Sequence, residues 1–347
     1  MSISCSAKKI LIIKLASAGD VLRTTTLLSA LKQRYPNSHI TWVVEKTAQE
    51  LLEGNANIKR ILVCSEENIL SLKRERFEVV ISLDKAVKAT SLAMSVNASE
   101  KYGYGLDKEG RLCPLNREAE YSYLLGIDDE LKFFKNKKTY QELIFEATGL
   151  KYENNPYELI LGEGDIEFAN SFFKKNNLYR DGTVIGINTG AGRAFANKNL
   201  RKERIAELIE LLHKELHVKI MLLGGPLEKE INEYIEKKAG HKVVNNGCAN
   251  NLKEFAALIN NCGLIIAADT LAMHVAIALK KPIVAIFGPT CAQEIDLYGR
   301  GYKIIAEAEC APCYKNKCDK KPTCTDNIPL KDIVKSAKRL IKDSNIV

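Results

Sequence analysis

The sequence predicts an α/β protein made of two parallel sheets, each covered by helices. Three observations predict it. Short apolar runs alternate with stretches of helical period along the whole chain, the pattern left by strands buried between crossover helices. The alternation pauses over residues 151–165, a polar stretch holding Asn154, Asn155, Pro156, Gly162 and Gly164, and restarts at Val184. Finally, 347 residues, 46% of them hydrophobic, suffice for two ordinary domains with their own cores.

In the first half, strands are expected over residues 10–15, 39–45, 58–63 and 79–83, with one helix over 21–35. In the second half, strands are expected over 184–188, 219–223, 264–267 and 282–287. Helices are expected over 203–216, 229–238 and 272–278; the first of these sets Ile205, Leu208, Ile209 and Leu212 on one face. This gives a first domain over 1–160 and a second over 166–328. A tail helix over 329–345, with Ile333, Val334, Ala337 and Ile341 in period, is expected to pack back onto the first domain.

Charge and leader signals narrow the function classes. The first 165 residues balance their charges, so the net +8 arises from residues 166–347. A basic surplus of this size suits phosphorylated ligands or an anionic membrane surface, which is compatible with peripheral contact at an inner membrane. Nucleic acid is not expected as a partner, because the charges carry no nucleic-acid motif and little aromatic interleaving. No apolar run approaches the roughly 20 residues of a membrane-spanning helix. The opening apolar stretch is short, contains Lys14 and runs into Asp20, so it is not a signal peptide and a cytoplasmic location is expected.

Five turns at expected carboxyl ends of strands carry the candidate chemistry, since ligands of open α/β sheets bind at that edge. Gly19-Asp20-Val21 follows the first strand. Asp20 is either a helix N-cap or a carboxylate placed to take a proton from a hydroxyl. Asn188-Thr189-Gly190-Ala191-Gly192 has the small residues that let amides approach a phosphate, and lacks both the dinucleotide and the P-loop spacing. Lys198 beyond it is either an exposed loop lysine or a counter-charge for a pyrophosphate leaving group. Glu228, after Gly224-Gly225-Pro226, is either a first-turn carboxylate or an acceptor for nucleoside hydroxyls. Asp269, Thr270 and Leu271 open the fourth turn, with Thr270 as a helix cap and His274 on the helix, where a lone His is more often a core residue than a ligand. Gly288 and Thr290 form the fifth.

In this order the motifs resemble glycosyltransferase family 9, the heptosyltransferases. The resemblance runs over nearly the whole chain: Ile10 to Lys14 leading into Gly19-Asp20-Val21, Thr26-Leu27-Leu28 and Leu31, Ile40 to Val44, Asn188 to Gly192, Gly224 to Glu228, Asp269 to His274, and Ile286 to Thr290. It implies a GT-B architecture of two Rossmann-like domains facing across a cleft, the acceptor on the first and the nucleotide sugar on the second. It implies an inverting, metal-independent transfer of heptose from ADP-heptose to a hydroxyl of lipopolysaccharide core or a related lipid-linked glycan. Asp20 falls where the family has its general base, Lys198 where a lysine meets the donor phosphates, and Glu228 where a glutamate holds the nucleoside. Asp269 falls where the heptose hydroxyls are held, with Thr189, Gly190, Thr270, Leu271, His274, Gly288 and Thr290 completing the donor site. The chain departs from the family pattern at Leu200-Arg201, where Trp-Pro is frequent, and at Leu271, where Gly is frequent.

Cysteine use is uneven. Cys5, Cys64, Cys113, Cys248, Cys262 and Cys291 are scattered, whereas Cys310, Cys313, Cys318 and Cys324 crowd one loop. Four thiolates at this spacing are expected to wrap a tetrahedral ion, zinc by default or a single iron. The plain alternative is a loop of reduced cysteines. An ion so enclosed has no open position, so its role would be structural, and no cofactor is expected for catalysis. Similar clusters occur in some family 9 relatives, including a branch that modifies proteins. Competing expectations are a nucleotide-sugar epimerase of similar architecture, a transferase using another nucleotide sugar or a protein acceptor, a metal- or redox-sensing protein, and a silent sugar binder.

Overall fold

The computed structural model describes residues 7–179, 183–192 and 196–343; Cys5 and the last two positions of the expected tail helix lie outside them. The chain divides into two compact units, Met1–Ile160 and Leu161–Val347. The first holds strands β1 (Lys9–Ile13), β2 (His39–Val44), β3 (Arg60–Val63), β4 (Arg76–Ser82), β5 (Asn97–Leu106) and β6 (Leu112–Pro114). The second holds β7 (Val184–Asn188), β8 (Lys219–Leu223), β9 (Val243–Asn245), β10 (Leu264–Ala268), β11 (Ile283–Phe287) and β12 (Gly301–Ile305).

The two sheets repeat one topology. The first is ordered β3-β2-β1-β4-β5-β6, and the second, read from its other edge, β9-β8-β7-β10-β11-β12. All pairings are parallel except β5 with β6. In each sheet the chain winds outward from the central strand on one side and then resumes on the other. The crevice at the carboxyl ends of β1 and β4, or of β7 and β10, is therefore the topological switch point. These are two Rossmann-like α/β units in one chain, the GT-B architecture.

Why β1 and β7 form the middle is visible in their side chains. Ile10 and Ile12 enter the core on one face of the first sheet, Leu11 and Ile13 the core on the other, and all four are fully buried. A strand covered on both faces by helices reads as a continuous apolar run. The outer strands read differently. β5 carries Glu100 and Lys101 with partly exposed positions, and β6 and β9 have three residues each, so no apolar run announced them.

The helix expected over 21–35 is two helices, Ala18–Thr24 and Leu27–Arg34. The break falls at three consecutive threonines. Thr24 Oγ1 donates to Asp20 O (2.7 Å), Thr25 Oγ1 to Leu22 O (2.6 Å) and Thr26 Oγ1 to Arg23 O (3.1 Å). Such back-bonding competes with the helical ladder and bends it. Thr25 Oγ1 also accepts from Glu158 N (2.8 Å), which ties the break to the end of the unit.

The tail helix, Leu330–Asp343, packs on the core of the second unit. Ile333, Val334, Ala337 and Leu340 join the core that holds Ile205, Leu208, Ile209, Leu212, Val284 and Ile286 of the second unit. Arg204 Nη2 donates to Ile328 O, and Arg201 pairs with Asp326 at 2.6 Å, fixing the approach to the helix. Ile333 is fully buried, so Ile333→Ala should destabilise the second unit by about 2–5 kcal/mol. Urea unfolding checks this; a loss confined to a few tenths would mean the helix is dispensable.

Candidate functional site

In the first unit the turn between β1 and the helix Ala18–Thr24 is built on buried charge. Ser17 occupies the N-cap and makes no side-chain cap bond, and Asp20 is the third residue of the helix. The Asp20 carboxylate is therefore not the cap. Its Oδ1 lies 2.7 Å from Arg23 Nη2, and its Oδ2 accepts from Ser17 Oγ (3.3 Å) and lies 3.9 Å from Lys14 Nζ. The Asp20 side chain is 32% exposed, enough to meet a solute. The Arg23 guanidinium stacks 3.5 Å above the ring of Tyr140, whose hydroxyl bonds Thr24 Oγ1 at 2.8 Å.

Lys14, Arg23, Tyr140 and Asp84 were not assigned roles from sequence. Lys14 follows β1 directly and is 5% exposed. Its ammonium donates to Asp84 Oδ1 (2.9 Å) and Ala16 O (2.8 Å). Burial opposes the charged form of Lys14, but Tyr140, Asp20 and Asp84 more than offset it, so its pKa stands above the ordinary value. Burial pushes the Tyr140 phenol up and leaves it neutral at pH 7. One signal was available for Lys14: a cation closing an otherwise wholly apolar strand. Asp84 follows β4, and its partner is 70 residues away in sequence.

In the second unit four of the expected turns meet at the carboxyl edge of the sheet. Lys198 Nζ donates to Asp269 Oδ2 (3.1 Å) and Asp269 O (3.2 Å); both side chains are 17% exposed. His274 Nε2 stands 3.7 Å from Asp269 Oδ1 and its side chain is 7% exposed. Lys198 is thus not a loose loop lysine, and His274 is both buried and aimed at the site. Thr270 stands at the N-cap of the helix Leu271–Ala278, yet its hydroxyl makes no cap bond and donates instead to Asn188 Oδ1 (2.9 Å). The expected side-chain cap is absent there.

Asn188 ends β7 and ties the edge together. Its Nδ2 donates to Leu223 O (3.1 Å), and its carbonyl accepts from Asn199 Nδ2 (3.0 Å). Thr189 N donates to Leu223 O (3.0 Å), and its hydroxyl donates to Asn232 Oδ1 (2.6 Å). Glu228 Oε2 accepts from Gly225 N (2.9 Å), so its first-turn capping role is present. The rest of that side chain lies on Gly190: a Cβ there would sit 2.0 Å from Glu228 Oε1 and 2.2 Å from its Cδ. Gly190 is therefore glycine because Glu228 occupies the space. At the fifth turn, Thr290 is 3% exposed, and its hydroxyl has no hydrogen-bond partner among the described residues. An orphan hydroxyl of this kind asks for a ligand or a water.

The four crowded cysteines line one cavity of about 190 Å³ together with Asn197, Glu307 and Lys320. All are free thiols, and Cys310 is exposed. Among the described residues no three His, Cys, Asp or Glu side chains gather at metal-holding distance, so the expected preformed tetrahedral centre is not present. What the loop does is brace the fifth turn. Cys313 N and Tyr314 N donate to Pro289 O (3.0 and 2.9 Å), and Cys291 N donates to Tyr314 Oη (3.3 Å). Asn197 Nδ2, beside Lys198, donates to Lys315 O (3.1 Å). Gly288 is needed here too, since a Cβ would lie 3.0 Å from Cys324 Sγ.

With both edges described, comparison decides the family. The family model for glycosyltransferase family 9 (heptosyltransferase) matches residues 69–324. The chain belongs to glycosyltransferase family 9. It is 24% identical to lipopolysaccharide core heptosyltransferase OpsX of Haemophilus influenzae, over 81% of this chain and 79% of that one. In structure it is similar to a family 9 glycosyl transferase from Veillonella parvula, with TM-score 0.80, 22% identity and coverage of 97% and 98%. It is also similar to E. coli ADP-heptose lps heptosyltransferase II, with TM-score 0.69, 19% identity and coverage of 97% and 99%. Membership of the family makes the chain an enzyme of the glycosyltransferase class, which sets aside the epimerase and the silent binder. Among the described residues no helix is long and apolar enough to cross a membrane.

Lys14 and Tyr140 both hold their protons more tightly when folded than their ordinary values of 10.5 and 10.0. The unfolded chain loses those protons first as pH rises, so the stability they lend is complete below about pH 10 and declines above it. These two groups should add to the fall of the thermal midpoint beyond about pH 10. Tyr140→Phe should shallow that fall.

Proposed function

We propose that this enzyme is an inverting, metal-independent heptosyltransferase that moves heptose from ADP-heptose to a hydroxyl of a lipopolysaccharide core glycan. The observation that carries the proposal is the second unit's carboxyl edge. There Lys198, Asp269, Thr270 and His274 stand at the switch point, with Thr189 and Glu228 on the adjoining turns. Small-residue turns with uncapped helix amides suit a diphosphate. On this reading Glu228, held by the Gly225 amide, accepts from nucleoside hydroxyls, and Asp269 from sugar hydroxyls. The similar E. coli protein is itself described as an ADP-heptose transferase.

On this reading the acceptor binds the first unit. Asp20 takes the proton as the acceptor hydroxyl attacks the anomeric carbon, and ADP departs from the opposite face, which inverts the centre. Arg23 and Lys14 stand beside the Asp20 carboxylate as cations that favour the form able to accept that proton. Lys198 and the amides near Thr189 and Thr270 stabilise the charge that develops on the leaving diphosphate. The orphan Thr290 hydroxyl is a further donor for it. No step needs a metal, and the cysteine loop serves by bracing Pro289 and Asn197. The acceptor is lipid-linked, so the enzyme works in the cytoplasm with peripheral contact at the inner membrane face.

Asp20→Asn should lower turnover by about 10²–10⁴-fold while leaving the thermal shift produced by ADP intact. Unchanged turnover would remove Asp20 as the base. Gly190→Ala should displace Glu228 and abolish the ADP shift. A panel of ADP-, UDP- and GDP-sugars identifies the donor by the same shift; preference for UDP or GDP would overturn the donor assignment. Excess chelator should leave the rate unchanged.

A further inference from the structure

Asp20 belongs to a charge array that includes Asp84 and the buried Lys14. The Lys14 ammonium lies 2.9 Å from Asp84 Oδ1 and 3.9 Å from Asp20 Oδ2. The second oxygen of Asp84 accepts from Leu15 N (2.6 Å) and Ala16 N (3.3 Å), while Lys14 donates to Ala16 O (2.8 Å). The backbone of the turn that carries Asp20 is thus held by an ion pair from two strands. A buried ion pair is a poor source of stability, because apolar residues of similar volume often fold as well or better. Its other consequence is local: it fixes a cation beside Asp20. With its side chain 6% exposed, Lys14 does not reach a sugar.

We infer that Lys14 and Asp84 are positioning residues for Asp20, Asp84 restraining the ammonium and the ammonium setting the charge and aim of the Asp20 carboxylate. The inference rests on Asp20 being the base. Asp84 divides the lysine's attention. Because it holds Lys14 at 2.9 Å, the ammonium supports the ionised Asp20 without closing on it and taking its lone pairs from the acceptor.

The groups facing Asp20 are few. Arg23 and Ser17 come from its own turn and helix, Lys14 from β1, Asp84 from beyond β4, and Tyr140 from the helix Tyr140–Ala147 beneath Arg23. On that last helix Glu142 accepts from Thr139 and Glu146 pairs with Lys138. On the helix Lys46–Leu52, which packs on Ala18–Thr24, Lys46 donates to Gln49, and Glu50 is the remaining charged group.

The test uses the full chain, ADP-heptose as donor and lipopolysaccharide from heptose-deficient cells as acceptor, with turnover followed against pH. Lys14→Met should lower kcat by roughly 30-fold or more, leave the donor KM and the ADP thermal shift unchanged, and move the acid limb of the profile up by about one pH unit. Asp84→Asn, which removes an anion and releases the ammonium toward Asp20, should move that limb down. Lys14→Arg should restore the limb and part of the rate. Limbs displaced in opposite directions are not what a merely structural pair would give. An unmoved limb in both variants, or a kcat within about threefold of the parent in Lys14→Met, overturns the inference. Should Lys14→Met fail to fold, Asp84→Asn and Lys14→Arg decide it by the limb alone. Asp20→Asn is measured alongside. If it keeps its turnover the base assignment fails; if it is inactive while the Lys14 and Asp84 variants match the parent, only the present inference fails.

Discussion

The central strand of each sheet ends in a buried polar side chain, and that requirement organises both edges. Lys14 follows β1 and Asn188 ends β7, at 5% and 7% exposure. A buried polar group must find its hydrogen bonds within the protein. In each unit the partner comes from the turn after the strand that opens the other half of the sheet: Asp84 after β4 and Thr270 after β10. The same topological position is thus stitched twice, once by charge and once by neutral hydrogen bonds. Each stitch holds open the crevice where a ligand would sit.

The central strands were legible because a strand covered on both faces has a single-line signature in sequence, an unbroken apolar run. What was not legible is pairing across distance. Lys14 and Asp84 stand 70 residues apart, and neither residue type at that spacing implies the other. The threonine break after Thr24 was hidden by a helical period that continues through it, since side-chain back-bonding leaves the apolar spacing untouched. The tail helix was recognised by its period, but period gives a face and not its partner. Its apolar face meets the second core through Ile333 and Ala337. The cysteine spacing was legible as crowding, and the four thiols do line one cavity, yet among the described residues no three of them stand at metal-holding distance.

At the second edge, plain and functional readings proved compatible more often than exclusive. Glu228 caps Gly225 and still presents its carboxylate over Gly190. His274 is buried like a core residue and still lies beside Asp269. Thr270 stands at the N-cap and holds Asn188, and its side chain makes no bond to the amides of its helix. The last of these is how a helix start becomes hospitable to an anion, because the macrodipole and the free amides point the same way.

The two edges also differ in how they handle charge, and the difference follows from the work asked of each. Around Asp20 cations outnumber what the carboxylate alone would need: Arg23 at 2.7 Å and Lys14 at 3.9 Å. Both cations favour the ionised form of a carboxylate beside them. Around Lys198 the balance is opposite, since its ammonium is spent on Asp269 at two oxygens. A bound diphosphate would compete for those donor protons, and an ammonium has three of them to share.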